Sequence, residues 1–144
     1  MVKSEDCLEK WGDPTPEFER SQMTVWSVPD DIHILITPLP KKIYLNKLML
    51  QPLWNAFLLV IDRGLEDKID EWGGCFAIRK MRNGSSFSLH SWGIAFDINI
   101  STNQLYAIPQ MDPRLVACFH ECGFDWGGFW HPRTDGMHFQ LSEI

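Results

Sequence analysis

The chain lacks a long hydrophobic run. Its longest apolar stretch, Ala56 to Ile61, is six residues, whereas a helix needs about 20 to cross a bilayer. No membrane role is expected. A basic cluster is also missing: no group of Lys and Arg exceeds Lys41-Lys42 or Arg79-Lys80, and the formal net charge is −6. A nucleic-acid partner would call for a basic patch or stripe, so none is expected. The charge also opposes long-range attraction to anionic surfaces. The first residues, MVKSEDCLEKWGDP, are acidic and carry no apolar stretch. They do not read as a secretory signal, and the expectation is a protein made in the cytoplasm. Cys7, Cys75, Cys118 and Cys122 form no C-x-x-C pair, which argues against a cysteine zinc knuckle. Free buried thiols are expected instead. There is no internal repeat and no low-complexity segment.

What is present fits one domain. At 144 residues a single chain can bury roughly 68–70% of its unfolded surface. Seven Trp predict a large core and an aromatic-walled cleft. Residues 8–40 hold Pro14, Pro16, Pro29, Pro38 and Pro40. They read as part of an extended arm, placed at 1–45, that wraps a catalytic core at 46–144. Residues 52–63 predict a helix with Pro52 in its first turn, Leu53, Phe57 and Val60 on one buried face, and Gly64 as the stop. A shorter helical piece is expected at 65–72, broken by Gly73-Gly74.

Three strands follow from alternation: one near 75–81, one at 93–100 and one at 137–142. In the second, Ile94, Phe96, Ile98 and Ile100 point one way and Ala95, Asp97 and Asn99 the other. In the third, Met137, Phe139 and Leu141 face a core, opposite His138, Gln140 and Ser142. Between them a helix is predicted at 113–122, with Asp112 as N-cap, Pro113 as first residue and Gly123 as C-terminal stop.

Two segments carry chemistry. SFSLHSWGIAFDIN (86–99) holds His90 and Asp97, and TDGMHFQL (134–141) holds Asp135 three residues before His138. A catalytic zinc takes three protein ligands and keeps one position open. Two imidazoles and a carboxylate from His90, Asp97 and His138 would supply that set, and Asp135 could serve as general acid/base. Taken singly, each residue also has a bland reading: a surface or structural histidine, or a turn aspartate before Gly136. The two motifs together are much more specific than either alone.

SLHSWGIAFDIN followed by GFDWGGFWHPRTDGMHF resembles the zinc D-alanyl-D-alanine carboxypeptidase and L-alanyl-D-glutamate endopeptidase family of bacterial cell-wall enzymes and phage endolysins. The family pattern is Ser-x-His-x-x-Gly-x-Ala-x-Asp, then an acid, two residues and His. Ser88, His90, Gly93, Ala95, Asp97, Asp135 and His138 occupy it. Trp126-Gly127-Gly128 is similar to the small endopeptidase branch. The resemblance is strongest over roughly 72–141; WGDP near the start and KIYLNK at 42–47 agree more loosely.

The resemblance implies a small α+β fold, a hedgehog/DD-peptidase-like antiparallel sheet with helices packed on it. It implies one Zn2+ per chain on His90, Asp97 and His138, with Asp135 as acid/base. Arg79 would bind the substrate carbonyl or oxyanion, and Ser88 would hydrogen-bond the substrate or the ligand-bearing loop. Gly93 and Ala95 would keep space around the metal. Trp92, Trp126 and Trp130 would wall the cleft or lie in the core. His131 would line the cleft or sit in a surface loop, and His33 and His120 read as structural.

The implied activity is hydrolysis of the peptidoglycan stem peptide, at the L-alanyl-D-glutamate bond, by a monomer that reaches the cell wall after release, as in phage lysis. D-alanyl-D-alanine carboxypeptidase activity is the alternative within the enzyme class. A catalytically silent zinc-stabilised binding module is the alternative outside it. An effector delivered to rival cells would use the same chemistry.

Overall fold

Alternation along two short strands sets the layers of the domain. In the computed structural model, which describes residues 1–82 and 84–144, β4 (Ala95–Ile98) and β6 (His138–Leu141) pair antiparallel. Phe96 lies opposite Phe139, and Asp97 opposite His138. Successive side chains leave a strand on opposite faces. Phe96 and Phe139 therefore enter the core, while Asp97, His138 and Gln140 share the other face. β3 (Trp72–Gly74) and β5 (Phe124–Trp126) complete the sheet in the order β3-β4-β6-β5.

Helices α4 (Lys47–Asp62) and α5 (Pro113–Glu121) cover the apolar face. Their contact is aromatic. Phe57 of α4 meets Phe119 of α5 edge-on with centroids 6.3 Å apart, and Phe119 lies 5.1 Å from Phe96 and 4.8 Å from Phe139. Trp72 stacks on Phe96 at 5.7 Å and meets Phe57 edge-on at 6.2 Å. Phe57, Phe96, Phe119 and Phe139 are fully buried, and each such ring contributes roughly 1.5–3 kcal/mol by leaving water. Among the described residues the result is a small α+β domain of five α-helices and two antiparallel sheets, as expected. Among the described residues no helix is long and apolar enough to cross a membrane.

α5 follows its sequence signals closely. Asp112 Oδ1 accepts from Arg114 N at 2.9 Å, Pro113 is the first helical residue, and Gly123 takes φ 95° just beyond the end. α4 starts earlier than expected, at Lys47, which leaves Pro52 inside the helix. Asn46 is the reason: its Oδ1 accepts from Leu48 N at 3.0 Å and satisfies a free amide at the helix start.

The N-terminal third differs from the extended arm that its prolines predict. It forms α1 (Ser4–Trp11), α2 (Pro16–Gln22), β1 (Met23–Ser27) and α3 (Asp30–Leu35), and β1 pairs antiparallel with β2 (Lys42–Asn46). Two of these prolines stand at helix starts. Pro16 is the first residue of α2, behind Thr15, whose Oγ1 accepts from Phe18 N at 3.2 Å, and Pro29 precedes α3.

The segment before β4 also differs. Within 65–72 only Glu66–Lys68 is helical, as a 3-10 turn, and the strand lies at 72–74 rather than 75–81. Asn99 explains the shift. Its Oδ1 accepts from Asp70 N (2.7 Å) and Glu71 N (3.1 Å), and its Nδ2 donates to Lys68 O (2.9 Å). These bonds capture the amides that a longer helix would use and turn the chain into β3.

Candidate metal centre

The polar face of the main sheet meets a short turn that carries His90. Ser88 opens this 3-10 turn, Leu89–Trp92, with its Oγ accepting from His90 N at 3.4 Å. Gly93 closes it in the left-handed region, at φ 68°. A Cβ on Gly93 would lie 2.6 Å from Met23 Cε and 2.9 Å from Asn46 N. Glycine is thus required by conformation and by close approach to β1 and β2. The clearance expected around the metal is instead clearance for docking the turn. Asn46 completes that docking, donating from N to Gly93 O and from Nδ2 to Trp92 O, both at 3.0 Å.

His90 is buried, and its Nδ1 lies 2.9 Å from the Cys75 carbonyl. A carbonyl only accepts, so the hydrogen sits on Nδ1 and Nε2 keeps its lone pair. Nε2 lies 3.3 Å from Asp97 Oδ1. His138 reaches the same oxygen from β6, with Nδ1 at 3.4 Å. Its other nitrogen, Nε2, is 3.0 Å from Gln140 Oε1. One ligand atom from each of His90, Asp97 and His138 falls within 4.8 Å of the others.

The chemistry of this trio fits a divalent cation. His90 Nε2 and Asp97 Oδ1 are buried and have no hydrogen-bond partner, a state that costs about 1–3 kcal/mol per group. A cation between them would satisfy both. The hydrogen bonds behind the two imidazoles are of the kind that orient metal-ligating histidines. Cys75 lends only its carbonyl, since burial and the Asp97 charge push its thiol well up and keep it neutral.

Charge is concentrated here. Burial works to raise the Asp97 carboxyl, but the two imidazoles outweigh it and hold the group below the usual carboxylate range. Burial works to lower His138, and the Asp97 carboxylate outweighs that in turn, so His138 is raised. Asp135 is shifted the other way from Asp97. Burial pushes its carboxyl up; His138 opposes this and the Asp97 charge adds to it. Two aspartates on one cleft are therefore driven apart, one toward permanent charge and one toward proton exchange.

Asp135 is held by the Trp126-Gly127-Gly128 segment. Its amide donates to Gly127 O at 3.0 Å, and Trp126 Nε1 donates to Gly136 O at 2.7 Å. A Cβ on Gly127 would fall 2.5 Å from Asp135 O.

Asp135, Ser88 and the three metal-binding candidates line one cleft of about 480 Å³. Arg79, Lys80, Arg82 and Arg133 line it too. Arg79 is exposed, but its backbone is pinned: its N is bonded to Ser91 Oγ, and its O accepts from Ser88 N at 2.8 Å. Four cations therefore share this cleft with Asp97 and Asp135, in a chain of net charge −6, and favour an anionic group at its rim.

The three tryptophans divide their work. Trp130 lines the cleft with its ring 5.2 Å from His138, Trp92 is fully buried, and Trp126 bonds to the turn carrying Asp135. His131 and His120 are exposed and His33 is half-buried. None of these three lines the cleft.

Residues 82–141 match the family model described as D-alanyl-D-alanine carboxypeptidase. The matched stretch is somewhat under half the chain and contains Ser88, His90, Asp97, Asp135 and His138. Arg79 lies just outside it. The match supports the peptidase family read from the two motifs. No curated protein and no solved structure matches the chain.

Sequence reasoning did not assign roles to Gln140, Arg133 or the Cys75 carbonyl. Gln140 had a signal, since residue i+2 of a strand shares the face of residue i. Arg133 and the Cys75 carbonyl had none.

Proposed function

We propose that the protein is a zinc-dependent peptidase of the peptidoglycan stem peptide, cleaving the L-alanyl-D-glutamate bond. The observation that carries this reading is the trio His90, Asp97 and His138, with two orphaned buried ligand atoms, in one cleft with the raised carboxyl of Asp135. The family match over 82–141 supports a zinc peptidase acting on peptidoglycan. The endopeptidase specificity rests on the resemblance of the Trp-Gly-Gly segment.

When bound, zinc supplies Lewis-acid polarisation of a carbonyl and a lowered pKa for water. The remaining work belongs to the chain. His90, Asp97 and His138 would hold the ion, a set of three protein ligands that suits a catalytic zinc. Asp135 takes the proton from the attacking water and returns it to the leaving amine. Arg79 offers a fixed positive charge to the oxyanion. Arg133, Lys80 and Arg82 suit the carboxylates that a stem peptide carries. Action on the wall follows release from the cytoplasm, and the protein works as a monomer.

The description of the matched family favours a second reading, D-alanyl-D-alanine carboxypeptidase. Digestion of purified peptidoglycan with mass analysis of the products separates the two. Endopeptidase action leaves L-alanine on the glycan and frees peptides beginning with D-glutamate. Release of D-alanine alone would establish the second reading, and no release by zinc-loaded protein would overturn both.

A further inference from the structure

Gln140 lies two residues beyond His138 on β6, on the same face, and is almost fully buried. Its amide is held at both ends. Oε1 lies 3.0 Å from His138 Nε2, and Nε2 donates to the Val2 carbonyl at 2.9 Å, from the other end of the chain.

The donors and acceptors admit one arrangement. The Val2 carbonyl only accepts, so the amide NH2 faces it and the amide oxygen faces His138. That oxygen also only accepts. His138 Nε2 must then carry hydrogen, and in the neutral ring Nδ1 is bare toward Asp97. Flipping the amide would set oxygen against oxygen at Val2 and NH2 against the N–H of His138.

A second contact of the same kind lies at the other end of this segment. Trp92 Nε1 donates to the Gly12 carbonyl at 3.0 Å, and Trp92 belongs to the turn that carries His90. Between Val2 and Gly12 runs α1, anchored by the fully buried Cys7. One N-terminal segment therefore presents a carbonyl to each histidine-bearing element.

We propose that residues 2–12 brace the metal centre, and that Gln140 is the positioning residue through which Val2 selects the metal-ready tautomer of His138. The proposal rests on the metal-centre reading above, but its tautomer component can be read without metal.

The test uses the full-length chain, Gln140→Leu, Gln140→Glu, and removal of residues 1–3 in the wild-type and Gln140→Glu backgrounds. Zinc affinity is measured by chelator competition, the His138 tautomer of metal-free protein by nitrogen NMR, and folding by thermal melting. A carboxylate at 140 accepts from His138 whichever way it turns, so it no longer needs Val2. The expected result is a zinc affinity about 10–100-fold weaker in Gln140→Leu and in the truncated wild type, with the Nε2–H tautomer lost. Gln140→Glu lacking residues 1–3 should stay within about threefold of wild type, and should bind zinc more tightly than full-length Gln140→Glu, whose second carboxylate oxygen meets the Val2 carbonyl. Wild-type affinity and tautomer in the truncated protein, or in folded Gln140→Leu, would overturn the proposal. A wild type that binds no zinc, yet shows the tautomer and loses it in Gln140→Leu, would overturn the metal-centre reading and uphold the role of Gln140.

Discussion

Trp126 donates its indole N–H to the Gly136 carbonyl at 2.7 Å, tying β5 to the turn that carries Asp135. Gly127 lies under the same turn, where a Cβ would fall 2.5 Å from Asp135 O. Gly127→Ala must push the turn away. Since a displacement of about 1 Å can cost 10²-fold in rate, activity on peptidoglycan should fall about 10- to 100-fold. Zinc content should fall less than activity, because His90 and Asp97 lie on other elements and only His138, whose N donates to Asp135 O at 3.2 Å, touches the turn. Loss of zinc together with activity would refute this separation of roles.

Removing a ligand should have the opposite signature. His138→Ala and Asp97→Asn are each expected to abolish stoichiometric zinc binding and activity together. Wild-type protein should melt at higher temperature with zinc, by a shift corresponding to about 2.7 kcal/mol at 100 times the dissociation constant. Neither variant should show that shift. Metal analysis and thermal melting with and without zinc read both.

Asp135→Asn should keep its zinc and lose about 10²- to 10⁴-fold in kcat, the usual worth of a positioned general acid/base. Burial raises the Asp135 carboxyl, and a base works only when deprotonated. The acid limb of the wild-type rate profile should therefore lie above the ordinary carboxylate range, with activity falling as pH drops through it. The residual activity of Asp135→Asn should lack that limb. A wild-type limb at the ordinary carboxylate position would argue that another group is the base.

The metal-free protein should prefer mildly acidic solution. His138 is raised in the folded state, so its contribution is full below the unfolded value and is lost as pH rises through the folded one. Asp97 is depressed, so its contribution is present above the unfolded value and is lost as pH falls toward the folded one. The two overlap between the unfolded carboxylate and imidazole values. Zinc should reverse the alkaline trend, because the ion binds the deprotonated imidazole. Melting curves across pH, with and without zinc, test this; parallel profiles would refute it.

Several elements were legible because their causes are local. Asp112, Pro113 and Gly123 mark the two ends of α5 within a dozen residues, and alternation along β4 and β6 separates core from site without knowledge of their neighbours. The prolines before residue 40 were ambiguous. The same residue type bends an extended chain or begins a helix, and Thr15 decides in favour of a helix at Pro16 by capping Phe18 N. The position of β3 depended on Asn99, whose side chain binds backbone at Lys68, Asp70 and Glu71.

By itself the amino-acid sequence determined the chemistry on offer: two imidazoles, two carboxylates, the strands that carry Asp97 and His138, and the apolar backing that keeps those strands rigid. These follow from spacing, periodicity and caps, which act over a few residues. Tertiary structure decided which nitrogen each histidine presents, which aspartate is held charged and which is raised, and which cations wall the cleft. Those outcomes depend on single hydrogen bonds and on burial between distant segments, such as Val2 with Gln140 and Cys75 with His90. A donor and an acceptor so far apart in the chain leave no local pattern, and only packing brings them within 3 Å.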